Sequence, residues 1–273
     1  MFKILILQRY YNLSDDQVKY QINDRMSFMH FLGLSIANDI PDSKTVSNFR
    51  EQLILCGAIE ELFTLFIGEL ETLGLIVNEG KIVHASFIEV PKQRNSRNEN
   101  LQIKEGKTPE SFVEKPFKLA QKDLDARWTK KTYGYRKHVK VDSKTIAGYQ
   151  VTSASMHDSQ PMDSLLDDKD ALQEFYGDSA YTGECPEQII ESKKMVNKAC
   201  EKGYRNKPLP DLQKENNREK SSVRSRVEHI FGFIEISMNG MYLYNIRIKR
   251  VSGIVGLMNL TYNMFRKAQL KAL

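Results

Sequence analysis

The stretch Lys81-Ile82-Val83-His84-Ala85-Ser86-Phe87-Ile88 decides the fold, because the pattern of the chain changes there. It is rich in β-branched residues and mostly apolar, which is typical of a strand buried within a sheet. The residues before it have helical periodicity, and the segments after it alternate between strand and helix patterns. The sequence therefore predicts an α/β protein whose mixed sheet is flanked by helices and preceded by a small helical part.

Residues 1–79 are predicted to form an all-helical N-terminal domain. We expect one helix capped by Asp24, a second capped by Asp42 or Ser43, and a third at Ala58–Thr72. Short helices with tight turns fit either a helix-turn-helix reader of DNA or a packing module. Residues 1–80 carry 6 basic and 11 acidic residues, which argues against strong phosphate binding. We favour an accessory helical domain.

Residues 80–273 are predicted to form a second domain, with a polar basic insertion at about 91–131. The insertion has little periodicity, so we expect it to be partly disordered in isolation. A hairpin follows, with strands at 133–141 and 148–156 joined around Ser143. Further strands are expected at 172–177 and 195–199, and helices at 186–194, 217–236 and around 254–265. A polar basic loop is expected at 201–222.

Composition restricts the class of protein. The 273 residues are 41% hydrophobic and 27% charged, as in soluble globular proteins. No run approaches the ~18 apolar residues of a membrane span, and no signal peptide is recognisable. The three cysteines are widely spaced and odd in number, which argues against a disulfide framework or a zinc site. We expect a cytoplasmic protein without a membrane partner.

Charge is distributed unevenly along the second domain. Residues 91–140 carry 14 basic and 6 acidic residues, whereas residues 141–192 carry 2 basic and 11 acidic ones. Residues 193–224 are basic again, with 10 basic and 4 acidic residues. This alternation fits a track for a polyanion beside a metal centre. The alternative is that these are solvated faces of ordinary helices and loops.

Two acidic residues are candidates for that centre. Asp178, in Gly177-Asp178-Ser179-Ala180-Tyr181, ends an apolar run at the position that faces the ligand crevice of an open α/β sheet. A capping or turn aspartate is the simpler interpretation. Glu228 follows Arg224 by four residues, so a surface ion pair is its simpler interpretation. Apolar neighbours such as Val227 and Phe231 nevertheless suggest that Glu228 lies near the sheet, where it needs an arginine or a metal.

The fifty residues between Asp178 and Glu228 allow a helix to return across the sheet and bring the two carboxylates together. Hard oxygen ligands of this kind suit Mg²⁺ or Mn²⁺. Two such ions can activate a water or a 3′-hydroxyl and stabilise the leaving oxygen in phosphodiester transfer. The nearby lysines and arginines would bind the phosphate backbone.

These motifs resemble bacterial insertion-sequence transposases of the DDE type, over nearly the whole chain. Besides the segments around Asp178 and Arg224-Ser225-Arg226-Val227-Glu228-His229, the resemblance is carried by Arg25-Met26-Ser27-Phe28, Phe31-Leu32-Gly33-Leu34, Pro41-Asp42-Ser43-Lys44-Thr45, Phe49-Arg50, Pro91-Lys92-Gln93-Arg94-Asn95-Ser96-Arg97, Asp125-Ala126-Arg127-Trp128-Thr129-Lys130, Tyr133-Gly134-Tyr135, His138, Val151-Thr152, His157-Asp158 and Gly256-Leu257-Met258-Asn259-Leu260. It implies an RNase H-like catalytic domain with three metal-binding acids. It also implies cut-and-paste movement of an element with terminal inverted repeats, near the bacterial nucleoid.

The resemblance implies that Asp178 is the second acid and Glu228 the third. The first acid falls at position 84, where this chain has His84. A neutral imidazole can bind Mn²⁺ but is a poor ligand for Mg²⁺ and brings no negative charge. Ser86 lies on the same strand face but is a weak ligand, and strand alternation places Glu89 on the opposite face. His84 is therefore the third candidate catalytic residue, with Asp178 and Glu228 as the metal ligands.

Smaller departures and the basic residues complete the comparison. Some relatives have a tyrosine three residues before the arginine and a lysine seven after the glutamate, where this chain has Ser221 and Glu235. The chain also begins late relative to such proteins, so a truncated start is expected. The side chains expected to contact DNA are Arg127, Lys130, Lys131, Arg136, Lys137, His138, Arg224 and Arg226.

Four hypotheses follow. The first is a transposase that binds double-stranded DNA, at element ends and target, as a homodimer but is impaired by His84. The second is an active enzyme with an unusual triad of His84, Asp178 and Glu228. The third is a DNA-binding regulator or inhibitor of transposition that does not cut. The fourth, an unrelated metal-dependent nuclease, is the weakest because the resemblance is so extended.

Overall fold

A computed structural model describes residues 1–76, 80–142, 144–203 and 209–271. Five helices precede the first strand: α1 (Phe2–Tyr10), α2 (Asp15–Asp24), α3 (Met26–Leu32), α4 (Ser43–Leu55) and α5 (Ala58–Thr72). The cap predicted for the second helix is confirmed, because Asp42 accepts the backbone N–H of Thr45 at 2.7 Å. The cap predicted at Asp24 is wrong. Asp24 ends α2, whose own capping box is Ser14 and Gln17, and α3 begins after Arg25 without a side-chain cap.

The sheet has six strands: β1 (Lys81–Glu89), β2 (Arg127–Trp128), β3 (Tyr133–Asp142), β4 (Thr145–Ser153), β5 (Glu174–Tyr176) and β6 (Val196–Asn197). β1, β3 and β4 form an antiparallel meander, and β5 and β6 continue the other side of β1 in parallel. The resulting order β4-β3-β1-β5-β6 is that of an RNase H-like sheet, with β2 added to the outer side of β3. The predicted hairpin is confirmed, although its turn residue Ser143 lies outside the described residues.

The segment at 91–131 is folded rather than irregular. It contains α6 (Arg97–Lys104), α7 (Glu110–Val113) and α8 (Pro116–Ala120). Asp123 ties it to the rest of the chain, since this buried carboxylate accepts the Tyr135 hydroxyl at 2.6 Å and the Arg247 backbone N–H at 2.9 Å. The three helices have only 8, 4 and 5 residues, so they produce little periodicity in the sequence.

Four further helices follow β4: α9 (Met162–Leu165), α10 (Glu184–Ser192), α11 (Asp211–Gly232) and α12 (Ile248–Lys271). α11 begins at Asp211, so the loop predicted over 201–222 is helical in its second half; residues 204–208 lie outside the described part. A π-helical turn at Phe233–Ser237 continues α11 directly. Such turns often lie next to functional sites.

The two faces of the sheet are covered differently. On one face, Ile82 and Ile88 of β1 join a large core with α11, α12 and the N-terminal helices. On the other, Val83 joins a smaller cluster with Phe175 and Tyr181. The helical region and the sheet thus share one apolar core, in which Asn263 of α12 bonds the backbone of Ile146 at 3.0 and 2.8 Å. In the described part of the chain, no helix combines the length and the apolar character that crossing a bilayer requires.

Candidate active site

The register of β1 and β5 brings two of the candidate residues together. The parallel pairs are Lys81 with Phe175 and Ile82 with Tyr176. β5 ends at Tyr176, and Asp178 follows two residues later, near enough for its charge to act on His84. Ile82 and His84 lie on the same face of β1, which α11 covers, because side chains alternate along a strand.

His84 packs edge-on against Phe231 of α11, with their ring centroids 4.9 Å apart. Burial lowers the pKa of His84, and the charge of Arg224 lowers it further, whereas the charges of Glu228, Asp178 and Asp158 oppose this shift. The imidazole is therefore neutral at neutral pH. The charges of three carboxylates act on His84. Within the described residues, His84 forms no ion pair with any of them.

Asp178 follows β5 and begins a short 3₁₀ turn at Ser179–Tyr181, where its side chain accepts the backbone N–H of Ala180 at 2.8 Å. The capping interpretation therefore describes one of its contacts. Gly177 is required by the turn, because a Cβ there would lie 2.8 Å from the Tyr181 ring and 3.1 Å from that of Phe175. The motif Gly-Asp-Ser-Ala-Tyr thus packs the Tyr181 ring close to Gly177 at the end of β5. The second carboxyl oxygen of Asp178 remains available to other partners.

Glu228 lies on the same helix as Phe231, one turn before it. Its side chain is 55% exposed, more than the sequence suggests, and its carboxylate lies 3.8 Å from Arg224. The surface pair is therefore present. The contact between Phe231 and His84 nevertheless holds this part of α11 over the centre of β1.

The arrangement suits a divalent cation in its chemistry but is incomplete in its geometry. Two carboxylates are the ligands that Mg²⁺ or Mn²⁺ prefers. Within residues 1–76, 80–142, 144–203 and 209–271, however, no group of three or more His, Cys, Asp or Glu side chains is gathered closely enough to hold a metal ion. His84 lies near these carboxylates but, as a neutral imidazole, adds no negative charge to them.

Lys137, which the sequence predicted to contact DNA, is instead a buried cation that shares the Phe231 ring with His84. Lys137 is opposite Ser86 in the β1–β3 register and is only 2% exposed, so it lies on the face covered by α11. Its Nζ is 4.5 Å from the centre of the Phe231 ring, and neither Nζ nor the Ser86 hydroxyl has a hydrogen-bond partner in the described structure. Burial lowers the pKa of Lys137 to about 8, against the opposing charge of Glu235. Strand alternation from His84 is the signal that could have found it.

The basic residues expected to contact DNA have different environments. Lys130, Lys131 and Arg226 are exposed, and Arg224 and Arg136 are half-buried. Arg127 donates to the backbone carbonyls of Leu124, Ala126 and Ile103, so its guanidinium holds the insertion together. His138 is buried and bonded to the Thr152 hydroxyl at 2.9 Å, and with Lys137 it lies inside the sheet rather than on a surface.

Asp158 is a further carboxylate, which the sequence offered only as part of the His157-Asp158 motif and not as a site residue. It follows β4 and forms an ion pair with Arg136, whose guanidinium lies 4.3 Å from the centre of the Phe87 ring. Phe87 and Arg136 are register partners in β1 and β3. Asp158 is therefore fixed beside the carboxyl-terminal half of β1.

Two protein-family models match the chain. Residues 1–52 match a model described as "Transposase domain (DUF772)". Residues 79–264, two thirds of the chain, match one described as "Transposase DDE domain". The chain belongs to the DDE transposase family. The resemblance based on the acidic motifs is thus confirmed, and so is the RNase H-like fold it implies.

Solved structures of another transposase are similar at a low level. One, titled "Mos1 transposase paired-end complex with left transposon end", is 9% identical with a TM-score of 0.25, and the match covers 95% of this chain and 75% of that one. A second, "Crystal structure of a pre-cleavage Mos1 transpososome", is 7% identical with a TM-score of 0.22 and coverage of 98% and 96%. The family assignment rests on the family model and the strand order rather than on these values.

Proposed function

We propose that this family member binds the inverted-repeat ends of a DNA element and performs metal-dependent cleavage and strand transfer. The observation that supports this is that the charges of Asp178, which follows β5, and of Glu228 both act on His84, whose ring packs against Phe231 on the helix of Glu228. Asp178 and Glu228 would hold the cation, either Mg²⁺ or Mn²⁺. Such an ion, when bound, supplies the positive charge that stabilises phosphodiester transfer.

The chain's own residues would divide the remaining work. Lys130, Lys131, Arg136, Arg224 and Arg226 are the accessible members of the basic set and would bind phosphates on either side of the carboxylates. Since two element ends must be joined, the working unit would be a homodimer on DNA. His84, neutral and packed on Phe231, would limit the rate because it leaves the carboxylate set one charge short.

A second candidate function is a DNA-binding regulator of transposition that does not cut. Its supporting observation is that Glu228 is paired with Arg224 and that no three-donor cluster exists among the described residues. The two functions share the DNA partner and differ only in chemistry. A cleavage assay therefore distinguishes the two functions, whereas a DNA-binding assay does not.

The test is end cleavage and strand transfer on duplexes carrying the element's terminal repeats, with Mg²⁺ or Mn²⁺. Asp178→Ala and Glu228→Ala should abolish cleavage, whereas the Kd for DNA, from fluorescence anisotropy, should change little. His84→Asp should raise cleavage in Mg²⁺ by about tenfold or more, since it restores a hard anionic ligand. A wild type that cuts as fast as His84→Asp would show that His84 does not impair the enzyme. Loss of DNA binding in the alanine variants would indicate a structural role for the two acids.

A further inference from the structure

Trp128 is exposed to solvent although it belongs to an ordered hairpin, β2–β3. It is 56% exposed, and it is the single tryptophan of the chain. A tryptophan side chain has a large apolar surface and is usually mostly buried. The Trp128 ring contacts that of Tyr133, its register partner, with the ring centroids 5.3 Å apart, and Tyr133 is itself only 7% exposed. The core therefore holds the Trp128 ring at the surface without covering it.

The hairpin that carries Trp128 is fixed at its turn and at its base. In the turn, the backbone N–H of Thr129 donates to the Thr132 carbonyl at 2.8 Å, and the Thr129 hydroxyl accepts the Thr132 backbone N–H at 3.0 Å. At the base, Gly134 lies so close to β1 that a Cβ there would collide with the Ile88 carbonyl oxygen. A ring held in this way loses little conformational freedom when a ligand covers it.

Three lysines accompany the ring. The ammonium of Lys92 lies 5.6 Å from the centre of the Trp128 ring, and Lys130 and Lys131 are exposed in the turn. Residues 127–133 include no acidic residue, and none of the three lysines forms an ion pair within the part of the chain that the structure describes. The surface thus combines an aromatic ring with unbalanced positive charge, which is the combination that binds single-stranded nucleic acid.

The hairpin lies at one end of the sheet face that carries the candidate site. Trp128 and Tyr133 are cross-strand partners, so their side chains share a face. Alternation along β3 places Tyr133 on the same face as Lys137, which shares the Phe231 ring with His84. The end of β1 that pairs beside the hairpin is five residues beyond His84, or about 17 Å at ~3.3 Å per residue. About five nucleotide steps of ~3.4 Å span this distance, so a DNA strand held at the candidate site can reach Trp128.

We propose that Trp128 stacks on an unpaired base of the bound DNA, while Lys92, Lys130 and Lys131 bind the phosphates beside that base. This rests on the proposed function, because it adds a second contact to the DNA of that function. The bases of a duplex are already stacked on one another, so the Trp128 ring is open only to a base in a single-stranded end or one that has left the helix. Every base has an aromatic face, so the contact has little sequence preference.

Because Trp128 is the single tryptophan, its fluorescence reports the proposed contact directly. The full chain is titrated with a single-stranded oligothymidine and, separately, with a blunt duplex of equal length. The oligothymidine should quench the fluorescence, since a stacked base lies in direct contact with the indole ring, whereas the blunt duplex should change it little. Quenching to the same depth by both DNAs, or by neither, overturns the proposal.

Variants separate stacking from charge. Trp128→Ala should raise the Kd for the oligothymidine by about 5- to 150-fold and leave that for the blunt duplex unchanged, and Trp128→Phe should restore part of the affinity. Lys131→Gln should weaken both DNAs and lower the salt dependence of binding by about one counterion. Tyr20→Ala is the matched control, because Tyr20 is 66% exposed but lies on α2, which has three aspartates and one lysine. It should alter neither affinity, and thermal unfolding checks that each variant is folded. Equal weakening of both DNAs by Trp128→Ala overturns the stacking contact.

Failure of this proposal and failure of the proposed function give different results. If cleavage requires Asp178 and Glu228 while Trp128→Ala binds the oligothymidine like the wild type, only the role of Trp128 is overturned. If oligothymidine binding depends on Trp128 but no variant cuts DNA, the stacking contact is supported in a protein that does not cleave. If Trp128→Ala leaves DNA binding unchanged and converts a dimer into a monomer in size-exclusion chromatography, Trp128 belongs to an interface between two copies of the chain, and the proposal is overturned.

Discussion

Two charged regions on β1 differ in how completely their groups are paired. At the start of the strand, Lys81 contacts Asp142 at 2.5 Å and Asp170 at 3.8 Å, and Lys140 of β3 contacts Asp170 at 2.7 Å. These four side chains are buried. Three residues along the same strand, on the face that carries His84, the ammonium of Lys137 and the hydroxyl of Ser86 are buried and have no hydrogen-bond partner in the described structure, and Glu228 faces solvent.

The difference separates charges that stabilise the fold from groups available to a ligand. Buried charges are tolerated when each has its partner, as in the network of Lys81, Lys140, Asp142 and Asp170. Buried polar groups without partners cost free energy, so their accumulation beside His84 calls for another explanation. Lys137 and Ser86 therefore belong to the description of the site although neither was predicted to bind metal.

The largest expected effect on stability is in the buried network of Lys81, Lys140, Asp142 and Asp170. Asp170→Asn removes the carboxylate shared by Lys81 and Lys140, and it should lower the free energy of unfolding by about 3–5 kcal/mol. Urea denaturation at neutral pH measures it. Asp167→Asn is the matched control, because Asp167 binds the same Lys140 at 2.8 Å but is 58% exposed. The control should cost no more than about 1 kcal/mol. Equal effects of the two variants would show that burial of the carboxylate does not decide how much its ion pair contributes to stability.

An intermediate effect on the free energy of unfolding is expected at Lys137, in the region around His84. Its pKa falls from 10.5 to about 8 on burial in the folded state, so the unfolded chain binds more protons between these values. Stability should therefore rise as the pH increases from about 8 to above 10. Lys137→Met removes this dependence and should be the more stable protein at pH 7, by about 3 kcal/mol.

Unfolding free energies of the wild type and Lys137→Met across pH 6–10 test this expectation. The gap between the two proteins should narrow as the pH rises. Parallel curves would mean that the ammonium finds a partner or water in solution and is not an isolated buried charge.

The same contrast explains how far sequence predicted the structure. Local signals located α4, α5 and β1: Asp42 caps α4, Gly57 precedes α5, and β1 is an apolar β-branched run. The helices of the insertion were missed because they are short and give little periodicity, although a capping box of Ser96 and Glu99 begins α6 and Pro116 begins α8.

The candidate site shows the same limit. Asp178 and Glu228 stand in motifs that can be recognised along the chain. Asp158 becomes relevant only when the register of β1 and β3 places Arg136 over Phe87, and Lys137 only when alternation is combined with the position of α11. Long-range pairing, not residue type, decides which charges surround His84.

The smallest expected effect on stability is at Arg224. This variant gives the sharpest test of whether a residue of the site affects DNA binding and cleavage without contributing to stability. The Arg224–Glu228 pair spans 3.8 Å on a solvated face of α11, so Arg224→Gln should change the free energy of unfolding by only about 0.3–0.5 kcal/mol. Lys214→Gln is matched to it, because Lys214 pairs with Asp211 at 2.8 Å on the same helix but lies more than two turns from Glu228. Both variants should be equally stable in urea. Only Arg224→Gln should weaken DNA binding and lower cleavage, since it alone removes a cation beside the carboxylates. If Lys214→Gln had the same effect on DNA, the basic face of α11 would act as a general electrostatic surface rather than through Arg224 at the site.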